Sequence, residues 1–121
     1  MKHFINWFEI PALNFQRAVA FYNHIYAFEM QTSETPSYAM AFFPAENGIG
    51  GAVVAGEGCV PSEVGPLIYL NSGKDLSPVL NRIEDAGGRV VLSKTLINED
   101  EGYFALFIDS EGNRLALHSK N

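Results

Sequence analysis

Two side chains hold most of the chemical potential of this chain: Glu9, on its first strand-like run, and His118, on its last. A histidine beside a carboxylate can act as a general base, with the carboxylate fixing its tautomer. A plainer expectation is that Glu9 pairs with Arg114 or His118 to satisfy a buried charge, as a buried carboxylate must. A two-residue metal site made of Glu9 and His118 is the weakest of the three readings. His3 is near the N-terminus and reads as exposed. His24 falls at the end of a helical pattern, where a cation meets the negative end of the helix dipole. Cys59, the one cysteine, lies between Gly58 and Val60 and reads as an incidental loop thiol. A single cysteine allows neither an intrachain disulfide nor a multi-cysteine zinc site.

Other sequence features are quieter. The run from Asp109 to Asn113 is too short for an EF-hand loop and reads as a turn, with Asp and Asn supplying side-chain-to-backbone bonds. Glu99-Asp100-Glu101 reads as a solvated loop. Gly50-Gly51 and Gly87-Gly88 lack the Lys and Ser or Thr of a phosphate loop. Phe15, Phe21, Tyr22, Tyr26 and Phe28 read as core.

The elements that must position these residues occur twice. Ile5 to Ile10 is a short strand stopped by Pro11. Asn14 can cap a helix whose apolar spacing, Phe15, Val19, Phe21-Tyr22 and Ile25, runs to about Tyr26. Strands follow at Phe28–Thr32, Tyr38–Phe43 and Ile49–Ala55. The second half repeats the order: a strand at Leu67–Asn71, a helix through Leu76, Val79-Leu80 and Ile83 ending at Ala86 with Gly87-Gly88 as its stop, then strands at Arg89–Ser93, Tyr103–Ile108 and Asn113–Ser119. Tyr38–Phe43 matches Tyr103–Ile108 at an offset of 65, and Ala52-Val53-Val54 matches Ala116-Leu117-His118 at an offset of 64. The expected fold is therefore α+β: two tandem βαβββ modules, about residues 4–55 and 67–119, joined by a linker at about 56–66. Neither half can cover its own sheet. Together they can form a curved mixed sheet with helices outside and a concave cavity within.

Bulk properties bound the function. A chain of 121 residues fits a single domain. Hydrophobic content of 47% suffices for a core, and charged content of 18% is low for a disordered chain. A net charge of −6, with pI near 4.9 and no Lys/Arg cluster, disfavours nucleic acid and anionic membrane surfaces as partners, and neither is expected. No stretch approaches the roughly 18–20 apolar residues needed to span a bilayer, and the N-terminus does not read as a signal peptide. A soluble cytoplasmic protein is expected.

The whole pattern, from about Ile5 to Ser119, resembles the vicinal oxygen chelate superfamily, which includes glyoxalase I, extradiol dioxygenases and bleomycin-resistance proteins. The matching residues are Arg17 to Tyr22 in the first helix, Ala86-Gly87-Gly88 after the second, and Phe107 to Arg114 before the last strand. In metal-dependent members, His, Glu or Gln ligands come from the first and last strands of each half. The resemblance places those positions at Trp7, Ala52, Leu67 and Ala116, none of which can ligate a metal, whereas a divalent ion needs about three N or O donors. No metal and no cofactor are expected.

Strand parity then gives the remaining lining. With Trp7 facing inward, Glu9 does too, while Phe8 and Ile10 pack beneath the helix. With Ala116 inward, Arg114 and His118 follow, and Leu67, Tyr69 and Asn71 share that face. The expected cavity is thus Trp7, Glu9, Ala52, Leu67, Tyr69, Asn71, Arg114, Ala116 and His118. The resemblance implies a metal-free protein binding a small metabolite. It also allows a metal-dependent lyase, isomerase or dioxygenase, or a non-catalytic module whose concave face meets another subunit, since proteins of this kind commonly form homodimers.

Overall fold

In the computed structural model, which describes residues 1–121, the first module runs β1 (Trp7–Pro11), α1 (Phe15–Tyr26), β2 (Gln31–Thr35), β3 (Tyr38–Phe42) and β4 (Gly50–Gly56). The second runs β5 (Tyr69–Asn71), α2 (Ser77–Leu80), β6 (Arg89–Asn98), β7 (Gly102–Ile108) and β8 (Arg114–Ser119). The repeat is real at the level of topology. One sheet has the order β1-β4-β3-β2 and the other β5-β8-β7-β6, so each module places its first strand beside its last.

Local chemistry explains α1. The Asn14 side chain accepts from the Arg17 N–H at 3.1 Å, satisfying one of the free donors of the first turn. Ala27 closes the other end in the left-handed conformation at φ 55. Phe15, Ala18, Phe21, Tyr22 and Ile25 form the buried face, spaced as a 3.6-residue period requires. That face joins a single core of 19 buried residues drawn from both modules. Phe21 stacks on Phe107 of β7 at 6.2 Å, so the first helix covers the second sheet as well as its own. Neither module owns a separate core.

The larger differences from the sequence reading each have a physical reason. The expected single curved sheet is two separately hydrogen-bonded sheets, with β1 and β5 both bordering one cleft instead of pairing. Pro11 in β1 and Pro66 before β5 have no N–H to donate across that gap. The first module's second strand starts at Gln31, because Phe28 and Met30 donate their N–H groups to the Asn23 carbonyl and side chain. The second helix is a single turn. Leu76 offers no side-chain cap, and beyond Leu80 the bonds tighten, with Arg82 donating to Val79 and Ile83 to Leu80. The Gly88 N–H still closes back onto the Ile83 carbonyl at 2.9 Å, so the glycine pair stops the segment as expected. Strand β6 runs on to Asn98, with three register shifts against β7.

The two modules are stitched by a buried polar network. Asp109 Oδ1 accepts the N–H groups of Glu111 and Asn113, and its Oδ2 accepts the Tyr22 hydroxyl at 2.7 Å. Glu111 Oε1 accepts the N–H groups of Leu13 and Asn14 at 2.9 and 2.7 Å, at the start of α1. Arg17 closes the network with a 2.7 Å ion pair to Glu111. The Asp109–Asn113 segment is the turn expected from sequence, and it also docks one module onto the other.

Candidate functional site

The gap between β1 and β5 is a cleft of about 980 Å³, at the upper end of the roughly 300–1,000 Å³ typical of small-molecule sites. Trp7 and Glu9 line it from β1, and Tyr69, Leu70 and Asn71 from β5, with Leu67 and Ile68 just ahead of β5. Trp7 is 45% and Tyr69 50% exposed, large apolar areas left open to water. Each is steadied by a phenylalanine two strands away: Trp7 by Phe42 and Tyr69 by Phe104, at 6.3 and 6.2 Å. Within the cleft the Trp7 indole N–H donates to Glu9 Oε2 at 3.2 Å.

The floor is aromatic. Phe8, Tyr26, Phe28 and Phe43 line it. Phe8 packs 5.4 Å from Phe43, and Tyr26 stacks on Phe28 at 5.3 Å. Sequence reading assigned Tyr26 and Phe28 to the core and Phe8 to the helix side of β1. Because β1 and β5 do not pair, the cleft opens through to the helix side and reaches all three. Burial holds the Tyr26 phenol neutral, pushing its pKa up to about 12 despite the Ser72 hydrogen bond.

The other expected lining residues lie elsewhere. Ala52 and Ala116 are fully buried, the partners of Glu9 and Tyr69 in register. His118 keeps its register place beside Asn71, but its Nε2 is 2.6 Å from the Glu101 carbonyl in the β6–β7 turn. A carbonyl only accepts, so Nε2 bears the proton. Glu9 is bonded to Trp7 instead, and no ion pair joins it to Arg114 or His118. Arg114 borders a smaller pocket of about 290 Å³ that shares Glu9, Pro66 and Ile68 with the main cleft. His24 bridges to Asp85 on the surface at 2.9 Å, consistent with its place in the last turn of α1.

Two of the four positions singled out by the resemblance are buried methyl groups, one is aliphatic, and the Trp7 indole can only donate. No three His, Cys, Asp or Glu side chains come together where they could hold a metal. No helix is long and apolar enough to cross a membrane.

No family model matches the sequence, and no curated protein matches it. Solved structures do match. A glyoxalase/bleomycin resistance protein/dioxygenase family enzyme from Burkholderia phytofirmans PsJN superposes with TM-score 0.70 at 13% identity, over 96% of this chain and 98% of that one. A glyoxalase/bleomycin resistance protein from Albidiferax ferrireducens T118 superposes with TM-score 0.71 at 11% identity, over 98% and 100%. Glyoxalase I from Zea mays gives TM-score 0.70 at 16% identity, over 95% of this chain. The chain spans 44% of the length of that maize protein. At such identities the likeness concerns architecture, and with the paired βαβββ modules it leads to one conclusion: this chain has the fold of the vicinal oxygen chelate superfamily.

Proposed function

We propose that this glyoxalase-fold chain binds a small, mostly apolar metabolite in the β1–β5 cleft without a metal ion, the usual ligand positions having been given over to Trp7, Ala52, Leu67 and Ala116. The observation that carries the reading is the cleft itself: about 980 Å³, floored by aromatic rings, with two half-exposed aromatics at its mouth and a few polar groups to orient a ligand. Binding is favoured over acid–base catalysis because Glu9 and His118 are bonded to different partners. A reducing, cytoplasmic setting is part of the proposal, in keeping with the free Cys59.

A thermal-shift screen of metabolites and divalent metals tests it. A cleft ligand at 100 times its Kd raises stability by about 2.7 kcal/mol, a readable shift. Stabilisation by apolar metabolites and none by Zn²⁺, Mn²⁺, Ni²⁺ or Fe²⁺ is expected. Stoichiometric metal that is lost in Glu9→Ala or His118→Ala would restore the lyase or dioxygenase reading. A second reading, a homodimeric interaction module, draws on β6, where Val91, Leu92, Leu96 and Ile97 are exposed along an outer sheet edge. Light scattering across a dilution series separates the two: a dimer broken by Leu96→Lys supports that edge as the interface.

A further inference from the structure

We propose that Arg114 is the anion-binding group of this site and that its ligand is a carboxylate with an aromatic or aliphatic body; the inference rests on the cleft being a binding site. Three Lys or Arg residues are half-buried: Arg82, Lys94 and Arg114. Arg82 donates to the Ile25 carbonyl at 3.0 Å, and Lys94 reaches Asp75 at 2.9 Å. Arg114 alone leaves its guanidinium without a hydrogen bond or ion pair in the protein, although its backbone is anchored at the start of β8 by a bond to the Ser62 carbonyl. A cation taken partly out of water without a partner is costly, and that cost is recovered when an anion arrives.

The surroundings say which kind of anion. Arg114 lines the smaller pocket, whose other walls include Val60, Val64 and Ile68, and Pro66 and Ile68 continue into the aromatic cleft. The two spaces are neighbours across these shared residues, the larger one apolar toward Trp7 and the smaller one bordered by Arg114. Glu9 lines both. Its carboxylate is tied to the Trp7 indole, and Arg114 is the one Lys or Arg on either lining that can draw an anion. A ligand carboxylate is thereby turned toward Arg114, whose planar fork can take both oxygens.

The test uses Trp7, the only tryptophan, as a fluorescent reporter within the cleft. Two matched probes are titrated, 3-phenylpropionate and the neutral 3-phenylpropionamide. The expected result is at least about tenfold tighter binding of the acid, equivalent to about 1.4 kcal/mol. Arg114→Gln should bring the acid down to the affinity of the amide and leave the amide unchanged, while Arg114→Lys keeps part of the preference. Equal affinity for both probes in the wild-type protein, a comparison that needs no variant to fold, overturns the assignment and leaves the cleft reading standing. A preference that survives in Arg114→Gln also overturns it. Failure of both probes to bind overturns the assignment and counts against the cleft reading itself.

Discussion

Removing the Glu111 carboxylate should loosen the joint between the two modules more than its place in a short surface turn suggests. Glu111 is 7% exposed, and four donors from the start of α1 converge on it: the Leu13 and Asn14 N–H groups and two from the Arg17 guanidinium. Hydrogen bonds to a charged group contribute about 1.5–3 kcal/mol each, and the two backbone donors take the lower part of that range because water can partly replace the carboxylate. The Arg17 side chain is 53% exposed, so its ion pair adds less than about 1 kcal/mol. Glu111→Ala should therefore cost about 2–4 kcal/mol, and Arg17→Met less than about 1. With a urea m-value of about 2 kcal/mol/M, the alanine variant's midpoint falls by about 1–2 M.

The pH dependence provides a second check. Burial alone would raise the Glu111 carboxyl, but the hydrogen bonds from Arg17, Asn14 and Ser110, with the Arg17 charge, hold it below the ordinary value. A depressed folded-state pKa stabilises above the ordinary carboxylate range and loses that contribution as pH falls through the folded value. The gap between wild type and Glu111→Ala should be full at neutral pH and narrow in acid. A neutral-pH difference within about 0.5 kcal/mol, the scatter of an ordinary surface substitution, refutes the reasoning, as does a gap that widens in acid.

Three further outcomes are expected. Adding a Cβ at Gly51 collides with the Phe8 ring; Gly51→Ala should swing that ring into the cleft, cost about 1–3 kcal/mol of stability and weaken binding of any cleft ligand, read by melting and by titration. The phenols of Tyr22 and Tyr26 are raised, chiefly by burial, that of Tyr26 to about 12; their stabilisation is complete below the ordinary phenol value and is lost as pH climbs through the folded values, so neither should ionise before unfolding in an absorbance titration at alkaline pH. Asn14→Ala should cost about 1 kcal/mol in a thermal melt through loss of the α1 cap.

Legibility in the sequence followed the range of the interactions. The limits of α1 could be read because a cap three residues from its acceptor and a 3.6-residue apolar period are local facts. The repeat could be read because composition and the order of elements suffice. Trp7, Glu9, Tyr69 and Asn71 border the cleft, but so do Phe8 and Leu70 of the opposite parity, so strand parity alone does not select its lining. His118 shows where parity stops: its register is as expected, but the turn at Glu101 folds back to take its ring. The role of Glu111 was hidden because its partners lie 94 to 98 residues away in the chain, and no spacing rule reaches that far. The aromatic floor was missed for a related reason. It exists because β1 and β5 fail to pair, a property of how two modules meet.

The central claim, a ligand cleft between β1 and β5, is tested most directly by amide chemical-shift mapping with the strongest hit from the thermal screen. The single Trp7 indole resonance should move in a saturable way, together with backbone amides of residues 5–9 and 67–71, while β6 stays still. Saturable shifts confined to β6 or the linker, with the Trp7 indole unmoved, would contradict it.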